Sequence, residues 1–216
     1  FGAVIGSRIG TMSGFGYMTY VLPGLVMMSV ITNSFSNVAS SFFSNKFQKS
    51  IEELLVSPVP DWIILAGYVL GGVARGVITG GIVMALGLFF VKIDVYNLLA
   101  TLLAVVMTST LFSLGGFING VFARKFDDVS IIPTFVLTPM TYLGGVFYSI
   151  EILPAFWQKL SMLNPILYQV NAFRYALLGE AGGIDIGGSF AMMLLAILLA
   201  GAYSLYLLKT GRGLRC

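Results

Sequence analysis

Five stretches of the chain stay apolar long enough to cross a hydrocarbon core, near residues 20–44, 62–91, 98–122, 131–148 and 188–208. A spanning helix needs about 20 such residues. Between the first two lies KFQKSIEELLVSPVPDW, residues 46–62, charged and proline-ended. The pattern predicts an all-α membrane protein, a polytopic helical bundle forming a single domain over residues 1–216. The opening FGAVIG is apolar as well, with neither the charged start nor the small-residue cleavage site of a signal peptide. It is expected to be the end of a further span, a sixth beside the five complete ones.

Polar positions inside the spans are ordered. Ser29, Asn33, Asn37, Ser40 and Ser44 step by three or four and form one stripe on the first complete span. Thr134, Thr138, Thr141 and Tyr142 repeat the theme at 131–148, where Pro133 and Pro139 are placed to bend the helix. Such residues serve either as glue between helices or as the lining of a path, and spacing leaves both readings open. Arg75 is the one charge deep in a span, roughly 20 Å along the helix from Trp62 at about 1.5 Å per residue. A buried arginine is costly in lipid and faces protein or a wet cavity. It either binds an anionic group or pairs with carbonyls or a carboxylate, the structural pairing being the stronger reading. Around it, Gly72, Gly76 and Gly80 recur every fourth residue, the spacing of close helix packing.

In the loop at 45–61, Phe47, Ile51, Leu54 and Leu55 recur at helical spacing, with Lys49, Glu52 and Glu53 on the other face. Ser50 and Glu53 have the spacing of a capping box, and Pro58 and Pro60 end the helix. A surface helix and a docking helix both fit. The segment 149–187 is greasy without reaching spanning length. Leu153, Phe156, Trp157, Leu160 and Leu163 form one helical face, ended near Asn164-Pro165. Ile166, Val170, Phe173 and Leu177 form another, with Gly179 placed to stop it. Two re-entrant or interfacial helices are expected, with Trp157, Tyr168 and Tyr175 suited to the headgroup region.

Composition agrees with lipid as solvent: 57% of the 216 residues are hydrophobic and 10% charged, against about 45–50% and 25% in soluble domains. The mean hydropathy is +0.94. With no histidine, and Cys216 the single cysteine, neither a metal centre nor an internal disulfide is expected, and nothing points to nucleic acid. Of the 12 Lys and Arg, seven (Lys46, Lys49, Arg124, Lys125, Lys209, Arg212, Arg215) fall in loops on one side. Arg8, Lys92, Lys159 and Arg174 fall on the other. The asymmetry places the 45–61 loop and the carboxyl terminus in the cytoplasm. No phosphate-cradling G-x-x-x-x-G-K-[ST] occurs, and no carboxylate lies well inside a span, as ion-driven carriers usually require. The energy source is expected to be external.

SIEELLVSPVP at 50–60, with FARKFDDVSIIPTFVLTPMTYLGGVFYSIEILPAFWQKLSMLNPILYQVNAFRYALLG at 122–179, resembles the permease subunits of ATP-binding-cassette exporters of the ABC-2 type. The resemblance covers essentially the whole chain. It implies six spans, a homodimer, a bacterial inner-membrane location, and two copies of a separate ATPase subunit that hold the ATP and magnesium, with no cofactor on this chain. It carries the family's ATPase-coupling helix onto Ser50, Ile51, Glu52, Glu53, Leu54, Leu55, Val56, Ser57, Pro58 and Val59. It also implies a re-entrant hairpin at 149–187; there Phe156, Trp157, Tyr168, Phe173 and Tyr175 are candidates for an outer gate or a lateral exit for an amphiphile, with anchoring alone an equal reading. On the same resemblance, the family's amphipathic amino-terminal helix and most of its first span lie outside these residues. An export permease is the leading expectation, ahead of a non-transporting assembly subunit and a secondary carrier.

Overall fold

The computed structural model describes residues 11–12, 14–93, 95–179 and 185–213. The expected end of an earlier span and Arg8 therefore lie outside the described residues, as does Arg215. A two-residue antiparallel ladder, β1 (Thr11–Met12) with β2 (Phe15–Gly16), leads into a bundle of helices. These are α1 (Tyr17–Phe47), α2 (Ser50–Val56), α3 (Asp61–Leu88), α4 (Leu98–Phe122), α5 (Phe126–Ile132), α6 (Thr138–Leu143), α7 (Ala155–Met162), α8 (Pro165–Leu178) and α9 (Ile186–Thr210).

Four of them, α1, α3, α4 and α9, are long and apolar enough to cross a membrane. The run expected as a span at 131–148 takes another form. Helix begins at Phe126, widens into a π-helical turn over Pro133–Leu137, and ends with α6 at Leu143. Pro139 has no N–H to return to the carbonyl four residues back, and the Thr138 N–H bonds Pro133 O, five residues back.

α1 is the central helix. Its most apolar window is 61% buried, whereas those of α3 and α9 are 17% and 22% buried and turn most of their surface outward. Glycines set its neighbours close. A Cβ on Gly120 of α4 would lie 3.0 Å from the Ala39 carbonyl, and one on Gly80 of α3 would lie 2.5 Å from Val30 Cγ2. At Gly76 it would strike the hydroxyls of Ser34 and Ser109. The expected glycine seam is therefore the α1–α3–α4 contact, where backbone proximity replaces the hydrophobic drive that lipid removes.

α8 is buried rather than resting on a surface. Ile166, Val170, Phe173 and Leu177 are at most 1% exposed, packed on α1 and α4. Asn164 caps its start, Oδ1 accepting from Ile166 N at 3.0 Å, and, as expected, Gly179 ends it in the left-handed conformation at φ 77°. The loop before α4 closes the same end, Tyr96 N and Asn97 N donating to the carbonyls of Leu177 and Ala176 at 3.1 and 2.8 Å.

Two expectations need correction. Arg174 is not a loop cation. It is 3% exposed within α8, its guanidinium 3.9 Å from the Tyr20 ring centroid and donating to Gly145 O at 2.8 Å. The Ser50–Glu53 capping box does not form. α1 runs on to Phe47, and the chain reverses through Lys49 in the left-handed conformation (φ 61°). Ser50 is thus already helical, and no side chain caps α2. The box geometry requires the capping residue to stand outside the helix.

Candidate functional site

The polar stripe of α1 bonds mainly to its own helix. Asn33 Nδ2 donates to Ser29 O at 3.0 Å, and Ser40 Oγ donates to Ser36 O at 2.7 Å. Ser44 Oγ accepts from Gln48 Nε2 at 3.2 Å, just beyond the last turn. Asn37 is different: its Oδ1 accepts from Arg75 Nη1 of α3 at 3.1 Å. Residues acting as glue would instead bond across to α3 or α4. The buried small hydroxyls that do face those helices, Ser34, Ser109 and Ser113, have no hydrogen-bond partner among the described residues.

At Ser40 the stripe borders a cavity of 320 Å³ lined by Ser36, Ser40, Arg75, Val129, Ser130, Pro133 and Thr134. Three helical segments build it: α1, α3 and the start of the π-bulged helix. Ser40, Arg75 and Thr134 are thus brought together as the polar pattern suggested, with Asn37 tied to them through Arg75. Ser29 and Asn33 continue the α1 face towards one end, and Ser44 towards the other. Thr138 and Thr141 turn back onto their own helix, Thr138 Oγ1 to Pro133 O at 3.0 Å and Thr141 Oγ1 to Leu137 O at 2.9 Å. Tyr142 stacks on Phe147 at 5.3 Å. Ser36 and Ser130 were not singled out in the sequence. Ser130 lies just before the apolar run and four residues ahead of Thr134, so extending the stripe by one turn finds it.

A second cavity, of 440 Å³, lies further along the same face of α1, at the end of the bundle where the basic residues gather. Lys46, Lys49 and Arg124 line it together with Phe43, Phe47 and Phe122. Lys46 Nζ donates to the carbonyls of Val121 at 2.6 Å and Ala123 at 3.2 Å, satisfying the open end of α4. Asp128 does the same for α5, its Oδ2 accepting from Arg124 N at 2.9 Å and Lys125 N at 3.1 Å.

α2 sits at this basic end. Ile51 is 1% exposed and belongs to the same apolar cluster as Phe42, Leu65, Phe117 and Leu207. Glu53, Val56, Pro58 and Val59 are exposed, Val56 at 87%, and Ser50 and Ser57 half-buried. The side chains of Glu52, Leu54 and Leu55 lie outside those described. At the opposite end, Phe156 and Trp157 of α7 meet edge to face at 5.6 Å and stay exposed. Tyr175 meets Tyr96 at 5.7 Å, and Tyr168 hydrogen-bonds Met162 O at 2.8 Å. Phe173 lies in the core, so the five aromatics do not form one cluster.

A model of the ABC-2 type transporter family matches residues 1–178. The inner membrane transport permease YadH of Escherichia coli (strain K12) is 55% identical over 215 residues, covering 100% of this chain and 84% of that protein. Nodulation protein J of Sinorhizobium fredii (strain NBRC 101917 / NGR234) is 24% identical over 180 residues, 83% of this chain and 69% of that protein. The match runs through the helices that carry the stripe, the arginine and the loop between α1 and α3. The chain therefore belongs to the ABC-2 type transporter family, as a transmembrane permease subunit of an ABC transporter.

Proposed function

We propose that this permease works as an exporter in a bacterial inner membrane, two copies enclosing the path and two separate ATPase subunits driving it by alternating access. On this reading the π-bulged helix at 126–143 is a fifth span, and 149–187 is a re-entrant hairpin before α9. Loop 45–61 and the carboxyl terminus face the cytoplasm. Ser50–Val59 receives the ATPase, which holds the ATP and magnesium. Ser29, Asn33, Asn37, Ser40, Ser44, Thr134 and Arg75 face the path, while the aromatics of the hairpin guard its outer end.

The observation that carries this reading is the α1 stripe. Four of its five residues bond within their own helix or its cap, and one of them, Ser40, borders with Arg75 a polar cavity at membrane depth. Polar groups facing lipid there are costly, and a water-filled path between two copies removes that cost. The test is thiol labelling of Ser40→Cys, with Cys216→Ser as background, in proteoliposomes containing the permease and its co-purified ATPase. Labelling is expected to change between nucleotide-free and ATP-trapped states. Labelling indifferent to nucleotide, in a complex shown to hydrolyse ATP, sinks the conduit.

A further inference from the structure

Resting on the reading of this cavity as part of the path, we infer that the cavity binds an anionic group, phosphate or carboxylate, and that the transported molecule carries it on Arg75. Arg75 lies fourteen residues into α3, about 21 Å from Asp61 at 1.5 Å per residue, near the middle of the span. It is exposed in the single chain, and Asn37 Oδ1 is its one side-chain partner among the described residues. A guanidinium has five N–H donors in a planar fork that fits the two oxygens of a carboxylate or phosphate. One donor is used here, so the side of the fork needed for an anion stays open.

The surroundings are matched to the same chemistry. Ser130 and Thr134 are exposed on the cavity wall, and their hydroxyls make no hydrogen bond among the described residues. The Asn37 Oδ1 acceptor is occupied by Arg75, which leaves its Nδ2 as a donor. Among the described residues, no carboxylate lines the cavity. Among those residues the one charge on the cavity wall is therefore positive, beside hydroxyls that can donate as well as accept. A cation meets like charge there, whereas an anion gains charge-assisted bonds.

The second cavity extends the argument. Ser36, Ser40, Phe43 and Phe47 follow one another on a single face of α1, so the Lys46–Lys49–Arg124 cavity stacks directly beyond the Arg75 cavity. An anion approaching from the basic end meets three cations before Arg75. Clefts lined by one sign of charge concentrate the opposite ion. The phenylalanine rings beside those cations offer apolar surface for the body of a molecule whose anionic headgroup the cations hold.

The test compares modification of Ser40→Cys by methanethiosulfonate ethylsulfonate (anionic) and methanethiosulfonate ethyltrimethylammonium (cationic), in the Cys216→Ser background and vesicles of phosphatidylcholine. The anionic reagent is expected to react about tenfold faster than the cationic one relative to a free thiol. Arg75→Gln should abolish that preference and Arg75→Lys should keep it. Ser130→Cys with Arg75 intact gives an independent reading should the Arg75 variants fail to assemble. Inorganic phosphate, or replacement of part of the phosphatidylcholine by phosphatidylglycerol, is then added. Protection by both supports a site for the anionic group itself, and protection by phosphatidylglycerol alone supports one carried on a lipid. A reactive thiol with equal or cation-favouring rates and no protection overturns the anion site, as it would if a carboxylate from another segment neutralised Arg75. A thiol unreactive to both reagents sinks instead the path reading on which this rests.

Discussion

Arg75 of α3 donates to Asn37 of α1 across 3.1 Å, which ties the charge at membrane depth to the polar stripe. The bond orients the guanidinium along the cavity wall, so its worth lies in positioning more than in holding helices together. An interhelical polar contact in lipid contributes about 0.6 kcal/mol on average. Asn37→Leu is therefore expected to leave membrane abundance and assembly nearly unchanged while altering substrate-stimulated ATPase activity. Loss of assembly with unchanged activity per assembled complex would return the stripe to a packing role.

The glycines of α3 separate packing from path. Gly76→Val drives side-chain atoms into Ser34 and Ser109, and overpacking of this kind costs about 1–3 kcal/mol. Gly81, one residue past the last seam glycine, has open space around it, and Gly81→Ala should be neutral or slightly stabilising through helix propensity. Thermal unfolding of the purified permease in detergent compares the two. Equal midpoints would deny the seam its role.

The long helices, the glycine seam and the Gly179 stop were legible because each rests on local chemistry: run length, i+4 spacing and turn residues. What escaped depends on longer reach. Ser130 lay outside the apolar run that defined the search, and only the approach of α5 to α1 brings it to Arg75. Ser50 has the residue type of a cap, but α1 continues to Phe47 and leaves Lys49 to make the turn. Arg174 was counted as a loop cation because its segment is too short to span. Burial comes from α8 docking on α1, which places Tyr20 under the guanidinium, and no spacing rule within 165–178 encodes that.

Arg174 supplies the next prediction. Removing it orphans the buried Gly145 carbonyl, at about 1–3 kcal/mol, and forfeits a desolvated cation–π contact of about 2 kcal/mol. Arg174→Met should lower the unfolding midpoint and the abundance of the permease. Arg174→Lys should rescue little, because an ammonium lacks the planar fork. A variant with wild-type stability in either form would show that the α1–α8 contact does not depend on the guanidinium.

Orientation is tested by side-selective labelling in the Cys216→Ser background. Single cysteines at Glu53 and Asp127, both exposed at the basic end, should react with impermeant reagent only in inside-out vesicles. One at Lys159, exposed on α7, should react only in intact spheroplasts. Labelling of Asp127→Cys and Lys159→Cys from the same side would overturn the assignment.

The last prediction divides α2 between two partners. Ile51 is 1% exposed and seated with Phe42, Leu65 and Leu207, so its apolar surface is spent on this chain. Val56 is 87% exposed and Glu53 is exposed beside it; on the proposed coupling, both are among the residues that would meet the ATPase. Ile51→Ala should loosen the seat of α2 by about 2–5 kcal/mol, the usual range for a buried Ile-to-Ala change, and so lower stability and coupling together. Val56→Asp with Glu53→Lys removes no packing within the chain. It should therefore leave the unfolding midpoint unchanged while weakening ATPase capture, because reversing a charge in a contact costs up to several kcal/mol where the partner group is of the new sign. Pull-down of the ATPase and thermal unfolding, run side by side on both variants, read the two effects independently. If the exposed-face pair binds the ATPase as the wild type does, α2 is a surface helix held by Ile51 and the coupling contact lies elsewhere on the basic end.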